Sequence, residues 1–495
     1  MVRRILFTVC LGMLLAVLLG PVQLGTPVYA EEAEAECWSV IVGVPAQRLA
    51  DKCLIDAEGN AYPLGVKYPD DSARDLYQEL VSVWGKDHIK LLLNEEATKG
   101  GIYYAIKWLA DVSDADDTVL FYFSGHGYLP PYGHLSDLPI AEYVPRNNTP
   151  VYLCTYDCVF FERSFFSDTQ LRYAISDTDL DSWLDMVDSE KVIIILETCF
   201  AGSFGKKLGN DGRVVLMSCQ PDESSFEDPE LKHGVFGHYI LQAISNFEAA
   251  DTNGDYEVSA EEIFDYAEPR TVDEIVRPYA NEPAIEGRQH PVLYDPHYWR
   301  ELSLLMRVVF HADGHLPPDT TVLTLDQKPY QSGELPASFT WAPGSVHDVD
   351  VPSKVDTEKR TRLVFVSWDD GDASVSRAIS HGGEYVANYK TQYQLTIESA
   401  HGCPKGKGWY DSGSAATISV IPAEGTIVRQ VFTGWSGDFT GTTAVESLVM
   451  DAPKAIKADW RTDYSRLYIL VADIMVFAGA PVAGITYVQR RRKAS

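Results

Sequence analysis

Apolar residues recur along this chain in two different rhythms. Between Cys37 and about Asp295, short unbroken apolar runs alternate with stretches whose apolar positions return every three or four residues. The runs are Trp38–Val44, His88–Leu93, Val119–Phe123, Val192–Leu196 and Val214–Met217. Each has strand length and is apolar on both sides, the pattern of strands covered on both faces. Asp71–Trp84 puts Ala73, Leu76, Tyr77, Leu80 and Val81 on one helical face, and Ala97–Ala110 reads as a second helix with Thr98 as its N-cap. This alternation predicts an α/β fold, a mostly parallel sheet with helices on both faces. From about Leu302 to Thr462 the helical period fades, and Thr, Val, Gly, Ser and Trp predominate, which predicts all-β modules. Two segments there echo each other. Phe365-Val366-Ser367-Trp368-Asp369-Asp370-Gly371 closes with Tyr385–Tyr389, and Phe432-Thr433-Gly434-Trp435-Ser436-Gly437-Asp438 closes with Ile456–Trp460.

Both ends carry membrane signals. Val2-Arg3-Arg4, an apolar run from Ile5 to Leu19 and the sequence Pro27-Val28-Tyr29-Ala30 predict a secretory signal peptide over 1–30. Leu467–Val488 is long enough to cross a bilayer, with Asp473 near its outer end. The basic cluster Gln489-Arg490-Arg491-Arg492-Lys493 follows and predicts a cytoplasmic tail, with the N-terminal bulk of the chain extracellular. The expected plan is a signal peptide at 1–30, an α/β domain at 37–300, β modules at 301–398 and 399–463, a single-pass transmembrane helix at 467–488 and a tail at 489–495.

At 495 residues the chain is too long for one core. Its net charge of -30, from 71 acidic and 41 basic residues, argues against a nucleic-acid partner. Of eight cysteines, Cys10 would leave with the signal peptide. The remaining odd number implies a free thiol outside the cell, with Cys37–Cys53 and Cys154–Cys158 as candidate disulfides. Asn147-Asn148-Thr149 is an N-glycosylation sequon.

Two strand ends carry candidate chemistry. The Val119–Phe123 run leads into Ser124-Gly125-His126-Gly127, and the Val192–Leu196 run into Glu197-Thr198-Cys199-Phe200-Ala201-Gly202-Ser203. Open parallel sheets bind ligands beyond the carboxyl ends of their strands, so an imidazole and a thiol can meet there. His126 would take the Cys199 proton and return it to the leaving amine. The backbone N–H groups of Gly127 and Cys199 are the candidate oxyanion donors. Cys158 and Cys219 are rival thiols without this setting of glycines and small residues.

The His126 segment resembles the histidine motif of the caspase, metacaspase, legumain and gingipain superfamily, and the Cys199 segment resembles its cysteine motif. Glu197 before the cysteine is closest to legumain-type enzymes, while Ser124-Gly125 is closer to caspases and gingipains. Leu216-Met217-Ser218-Cys219 and Asp222–Glu227 resemble the superfamily's substrate-binding segment, and His233–Tyr239 resembles the one after it. The resemblance spans about Trp38–Asp295. It implies a cysteine endopeptidase acting on proteins or peptides without a catalytic cofactor, cutting after one residue type. It places Glu197, Ser218, Ser224, Ser225 and Glu227, with Asp71, among the candidate substrate-binding residues. Glu227 stands where caspases carry an Asp-binding arginine, which favours Arg or Lys; a legumain-like pocket would take Asn. Transpeptidation of surface proteins, or a catalytically idle binding protein, are the alternative readings. The echoing segments resemble β-repeat modules of microbial surface proteins.

A metal signal stands apart. Asp251-Thr252-Asn253-Gly254-Asp255-Tyr256-Glu257-Val258-Ser259-Ala260-Glu261-Glu262 fits the twelve-residue calcium loop of an EF-hand. The expected Ca2+ ligands are Asp251, Asn253, Asp255, the Glu257 carbonyl and Glu262, with Ser259 through water. Tyr256 departs from the glycine usual at the sharp turn, and a helix is expected from Ala260 to Ala267.

Overall fold

A computed structural model of the chain describes residues 35–45, 53–55, 61–63, 66–129, 149–162, 169–209, 212–279, 289–296, 301–314 and 316–476. The predicted signal peptide, the basic tail, Asn147 and Asn148 of the sequon, and the predicted membrane span beyond residue 476 lie outside these residues.

In chain order the α/β region comprises β1 (Cys37–Gly43), α1 (Pro69–Trp84), β2 (Ile89–Leu93), α2 (Lys99–Val112), β3 (Thr118–Ser124), β4 (Gly127–Tyr128) and β5 (Tyr152–Leu153). These are followed by α3 (Asp177–Leu184), β6 (Lys191–Glu197), α4 (Gly202–Leu208), β7 (Val214–Met217), β8 (Glu227–Asp228) and β9 (His233–Gly234). The region ends with α5 (Val235–Ser245), β10 (Glu257–Ser259), α6 (Ala260–Tyr279) and β11 (Val292–Tyr294).

The main sheet runs β11-β7-β6-β3-β1-β2. Every pairing is parallel except β7 with β11, which is antiparallel. Alternate residues feed two cores. Val40, Val42, Phe121, Phe123, Ile194 and Leu196 pack with Ile102, Ile106 and Leu109 of α2. Ile41, Leu120, Tyr122, Ile193 and Ile195 pack with residues of α1, α5 and α6. Burial on both faces accounts for the continuous apolar runs. Thr98 caps α2 as expected, its side chain accepting the Gly101 N–H at 3.0 Å. The helix expected over Ala260–Ala267 instead continues to Tyr279, through Pro269.

The β region is built on β12 (Ser303–Asp313), β13 (Thr361–Trp368), β14 (Gly383–Ser399), β15 (Arg429–Gly437) and β16 (Lys454–Asp463). Its spine is β10-β12-β14-β16-β15. β12 pairs parallel with the start of β14, and the end of β14 pairs parallel with β16. The single strand β14 therefore closes one module and opens the next. The two echoing segments hold matching places. β13 has an irregularity between Phe365 and Ser367, and β15 has one between Phe432 and Gly434. The Trp368 indole N–H donates to the Ser374 carbonyl at 3.0 Å, and that of Trp435 to the Thr443 carbonyl at 2.9 Å. Asp369 accepts the Val386 N–H, and Asp438 that of Ala455.

The expected boundary at residue 300 is not a linker. β12 pairs with β10 of the α/β region, Leu302, Leu304 and Leu305 belong to its core, and the Trp84 indole donates to the Leu304 carbonyl at 3.1 Å. At the far end, residues 465–476 are helical, with Tyr468, Ile469, Leu470, Val471, Ile474, Met475 and Val476 all exposed. Among the described residues no helix is long and apolar enough to cross a membrane.

Candidate active site

β3 and β6 lie side by side in register, Ser124 opposite Glu197, so the residues just beyond them emerge together. The Gly125 N–H donates to the Glu197 carbonyl at 3.1 Å. A Cβ on Gly127 would stand 2.2 Å from the Cys199 carbonyl oxygen and 2.5 Å from Thr198 Oγ1, so only glycine fits there. His126-Gly127 is thus seated directly against Thr198-Cys199, each past the end of its own strand. Behind them, the Cys154 N–H donates to the His126 carbonyl at 2.9 Å, while Gly127 faces Leu153. That bond makes Gly127–Leu153 a non-hydrogen-bonded pair, so β5 leaves the Gly127 N–H unclaimed.

The turn after the thiol is tight. Phe200 has φ +64, a left-handed conformation uncommon for a bulky residue, and its N–H donates to the Glu223 carbonyl at 2.9 Å. Cys199 Sγ lies 3.8 Å from the Ser225 carbonyl. Burial raises the Cys199 thiol above its ordinary 9.0, the Ser225 backbone and the Ser224 hydroxyl draw it partly back, and Glu227 adds to the rise. Burial also holds the His126 imidazole below its ordinary 6.5. Both shifts favour the uncharged forms of the two groups.

Beneath the strand ends, Glu197 is only 4% exposed. Its carboxylate accepts from the Tyr122 hydroxyl at 2.8 Å, the Ser124 hydroxyl at 2.9 Å and the Gly237 N–H in the first turn of α5 at 2.6 Å. A Cβ at Gly234 or Gly237 would stand 2.0 Å or 2.5 Å from this carboxylate. Glu197 is a buried floor that ties β3, β6 and α5 together, where the resemblance had placed a candidate substrate-binding residue.

Two further expectations need correction. Ser218 is fully buried, its hydroxyl bridging the Thr198 N–H and carbonyl across β6 and β7, so it has no surface to offer a substrate. Asp71 sits in the first turn of α1 in an exposed pair with Arg74 at 3.2 Å. Ser224 and Ser225 lie beside the Cys199 thiol. The Glu227 carboxylate accepts the Lys67 N–H at 2.8 Å and the Tyr68 N–H at 2.9 Å; burial, followed by nearby Glu197, raises its pKa despite those bonds.

Sequence reasoning missed Gln289. Its amide, 1% exposed, donates to the Ser218 carbonyl at 3.0 Å and accepts the Phe226 N–H at 2.9 Å, fixing the segment opposite Cys199. Nothing local marks it, since its partners lie 71 and 63 residues away. Thr198 Oγ1, buried against Gly127, has no hydrogen-bond partner.

The acidic loop lies elsewhere, at the joint between the two regions. Asp251 accepts the Gly254 and Tyr256 N–H groups, Asn253 that of Asp255, and Asp255 that of Glu257. Tyr256 takes φ +67, the left-handed turn that glycine usually supplies. The Arg307 N–H donates to the Tyr256 carbonyl, which leaves the Glu257 carbonyl outside the β10–β12 ladder. Glu262 accepts the Thr252 N–H at 2.8 Å and the Asn253 and Ser259 N–H groups at 3.2 Å. Among the described residues, no group of three His, Cys, Asp or Glu side chains stands arranged to hold a metal.

The profile of the caspase domain matches residues 67–297, which include both strand ends. Those residues are similar to a caspase domain. The matched span begins after β1, although β1 lies between β3 and β2 in the sheet, so the folded domain reaches back to Cys37. Residues 393–463 match the divergent InlB B-repeat domain and cover the second β module from within β14 onward. No curated protein matches the chain. Among solved structures, the chain is similar to protein GSU0716 from Geobacter sulfurreducens, at 14% identity and a TM-score of 0.32, over 54% of this chain and 97% of that one. The match supports a caspase-like cysteine peptidase, a class whose substrates are proteins.

Proposed function

We propose that the protein is an extracytoplasmic, membrane-anchored cysteine endopeptidase in which Cys199 attacks the scissile carbonyl and His126 shuttles the proton. The carrying observation is the seating of Gly127 on the Cys199 carbonyl, which sets the His126 and Cys199 segments backbone to backbone. Because burial favours both neutral forms, the thiol gives up its proton to His126 as the sulfur attacks, and the imidazolium then protonates the leaving amine. The unclaimed Gly127 N–H and the Cys199 N–H serve the oxyanion. Water releases the acyl-enzyme; an amine in its place would give transpeptidation. Glu227, standing where caspases carry an Asp-binding arginine, favours Arg or Lys before the scissile bond, with Asn the alternative.

A peptide-library cleavage assay on wild type and Cys199→Ala tests this reading. Cleavage after Arg or Lys should vanish in the variant. Equal turnover in both proteins defeats the mechanism, and a preference for Asp defeats the specificity.

The exposed apolar residues of 465–476 favour insertion of that segment into a bilayer. A chain ending at Asp463 should leave the membrane fraction, and one that stays there overturns the anchor. The left-handed Tyr256 and the outward Glu257 carbonyl favour Ca2+ at the loop, with Asp251, Asn253, Asp255 and Glu262 as the other ligands. Calorimetric uptake of Ca2+ that is unchanged in Glu262→Gln would reject that site.

A further inference from the structure

The segment behind His126 holds two thiols that the proposed mechanism does not use. Cys154 and Cys158 are 2% and 9% exposed and form a small cluster with Ala174, walled by Tyr128, Tyr152 and Leu171. Between them the chain folds back on itself, the Cys158 N–H donating to the Thr155 carbonyl at 3.0 Å. Both thiols are free and share that one buried cluster. Other described cysteines are differently placed. The Cys37 thiol donates to the Pro343 carbonyl, the Cys219 thiol to the Thr198 and Glu223 carbonyls, and Cys403 is exposed.

We propose that Cys154 and Cys158 are a disulfide-forming pair that braces the histidine segment of the site. The pair lies in a strap fastened at both ends. On one side the Cys154 N–H holds the His126 carbonyl, and Leu153 faces Gly127. On the other, Asp157 accepts the Lys99 N–H at the start of α2 at 2.9 Å, and the Tyr156 N–H donates to the Ala97 carbonyl at 3.0 Å. β4 and β5 are two residues each and contribute little rigidity of their own. Thiols buried in one cluster across a turn need little backbone movement to reach bonding distance, about 2 Å.

The oxidant is a disulfide, either a small-molecule one or that of a thiol oxidase. One thiolate of the pair attacks it, forming a mixed disulfide and expelling one thiolate. The second thiolate of the pair then attacks the mixed disulfide and expels the other. Two protons and two electrons leave the pair, and the oxidant disulfide becomes two thiols. The inference rests on the extracytoplasmic reading for its compartment, and not on catalysis by Cys199.

The test uses the full-length protein equilibrated with oxidised glutathione, denatured, alkylated and digested without reduction. Residues 154 and 158 should appear unalkylated in a peptide lighter by two hydrogens, with Cys199, Cys219 and Cys403 alkylated. Alkylation of both thiols, lasting glutathione on either, or a link from Cys154 to Cys199 overturns the pair. A Cys154→Ala/Cys158→Ala variant should lose kcat several-fold at unchanged KM, and wild-type kcat in that variant overturns the bracing role. If the variant does not fold, the peptide map of wild type decides. That map reads the same whether or not the protein cleaves peptides.

Discussion

The α/β region gathers its candidate site at one edge of one sheet. Strands covered on both faces converge on His126 and Cys199, and a single buried carboxylate, Glu197, takes donors from β3 and α5 at once. The β region repeats a unit instead. Each module has its own tryptophan, its own aspartate closing a strand end and its own core, around Trp368 in one and Trp435 in the other. A concentrated design makes distant elements depend on one residue, whereas a repeated one confines damage to the unit that carries it.

The sharpest contrast is chemical. Cys199→Ala should lower peptide hydrolysis roughly a thousandfold or more while leaving thermal unfolding of either region in place. Persisting hydrolysis would move the nucleophile elsewhere. Trp368→Ala and Trp435→Ala should each cost ~3–5 kcal/mol, because each removes a large buried ring. Hydrogen exchange should rise only in the module bearing the change, and kcat should hold; a fall in kcat would mean that the modules are not independent of the site. Glu197→Ala should cost about 3 kcal/mol by stranding the Tyr122, Ser124 and Gly237 donors. Here the exchange should spread across β3, β6 and α5 together. Protection lost in β6 alone would show that Glu197 is no tie.

Two smaller effects follow from titration. His126 must be neutral to accept a proton, and burial depresses its pKa, so the acid limb of kcat/KM should fall below pH 6.5. A limb above that value would mean that a charged partner holds the imidazolium. Glu261 is raised to about 7, first by burial and then by Asp295 and Glu301. A raised carboxylate stabilises the fold below its ordinary 4.5 and loses that contribution as pH climbs through 7. Glu261→Gln should therefore raise Tm by ~2–4 °C at pH 8 and change it little at pH 4. Equal shifts at both pH values would exclude titration as the cause.

The strands of the α/β region were legible because burial on both faces writes an unbroken apolar run, as in Val214–Met217, where the expected and observed bounds coincide. The adjacency of the His126 and Cys199 segments was legible because each follows an apolar strand and has glycines close by. The supporting polar residues were not. Gln289 acts through partners more than sixty residues away, and the edge strand β11 has only three residues, too short for any period to register. An acidic residue near a helix start, such as Asp71, has the same signature whether it meets a substrate or pairs with a neighbour such as Arg74. The boundary expected at residue 300 misled for a related reason. The change of rhythm marks where strands replace helices, but Leu302, Leu304 and Leu305 still complete the core of the preceding region.

β14 runs unbroken from Gly383 to Ser399, laddered to one module along its first half and to the next along its second. A bend between the modules would have to tear that ladder, so the strand acts as a splint. Because β12 is in turn laddered to β10, the stiffness continues into the α/β region itself. The continuous ladder therefore fixes the spacing between the candidate site and Asp463, as a ruler would.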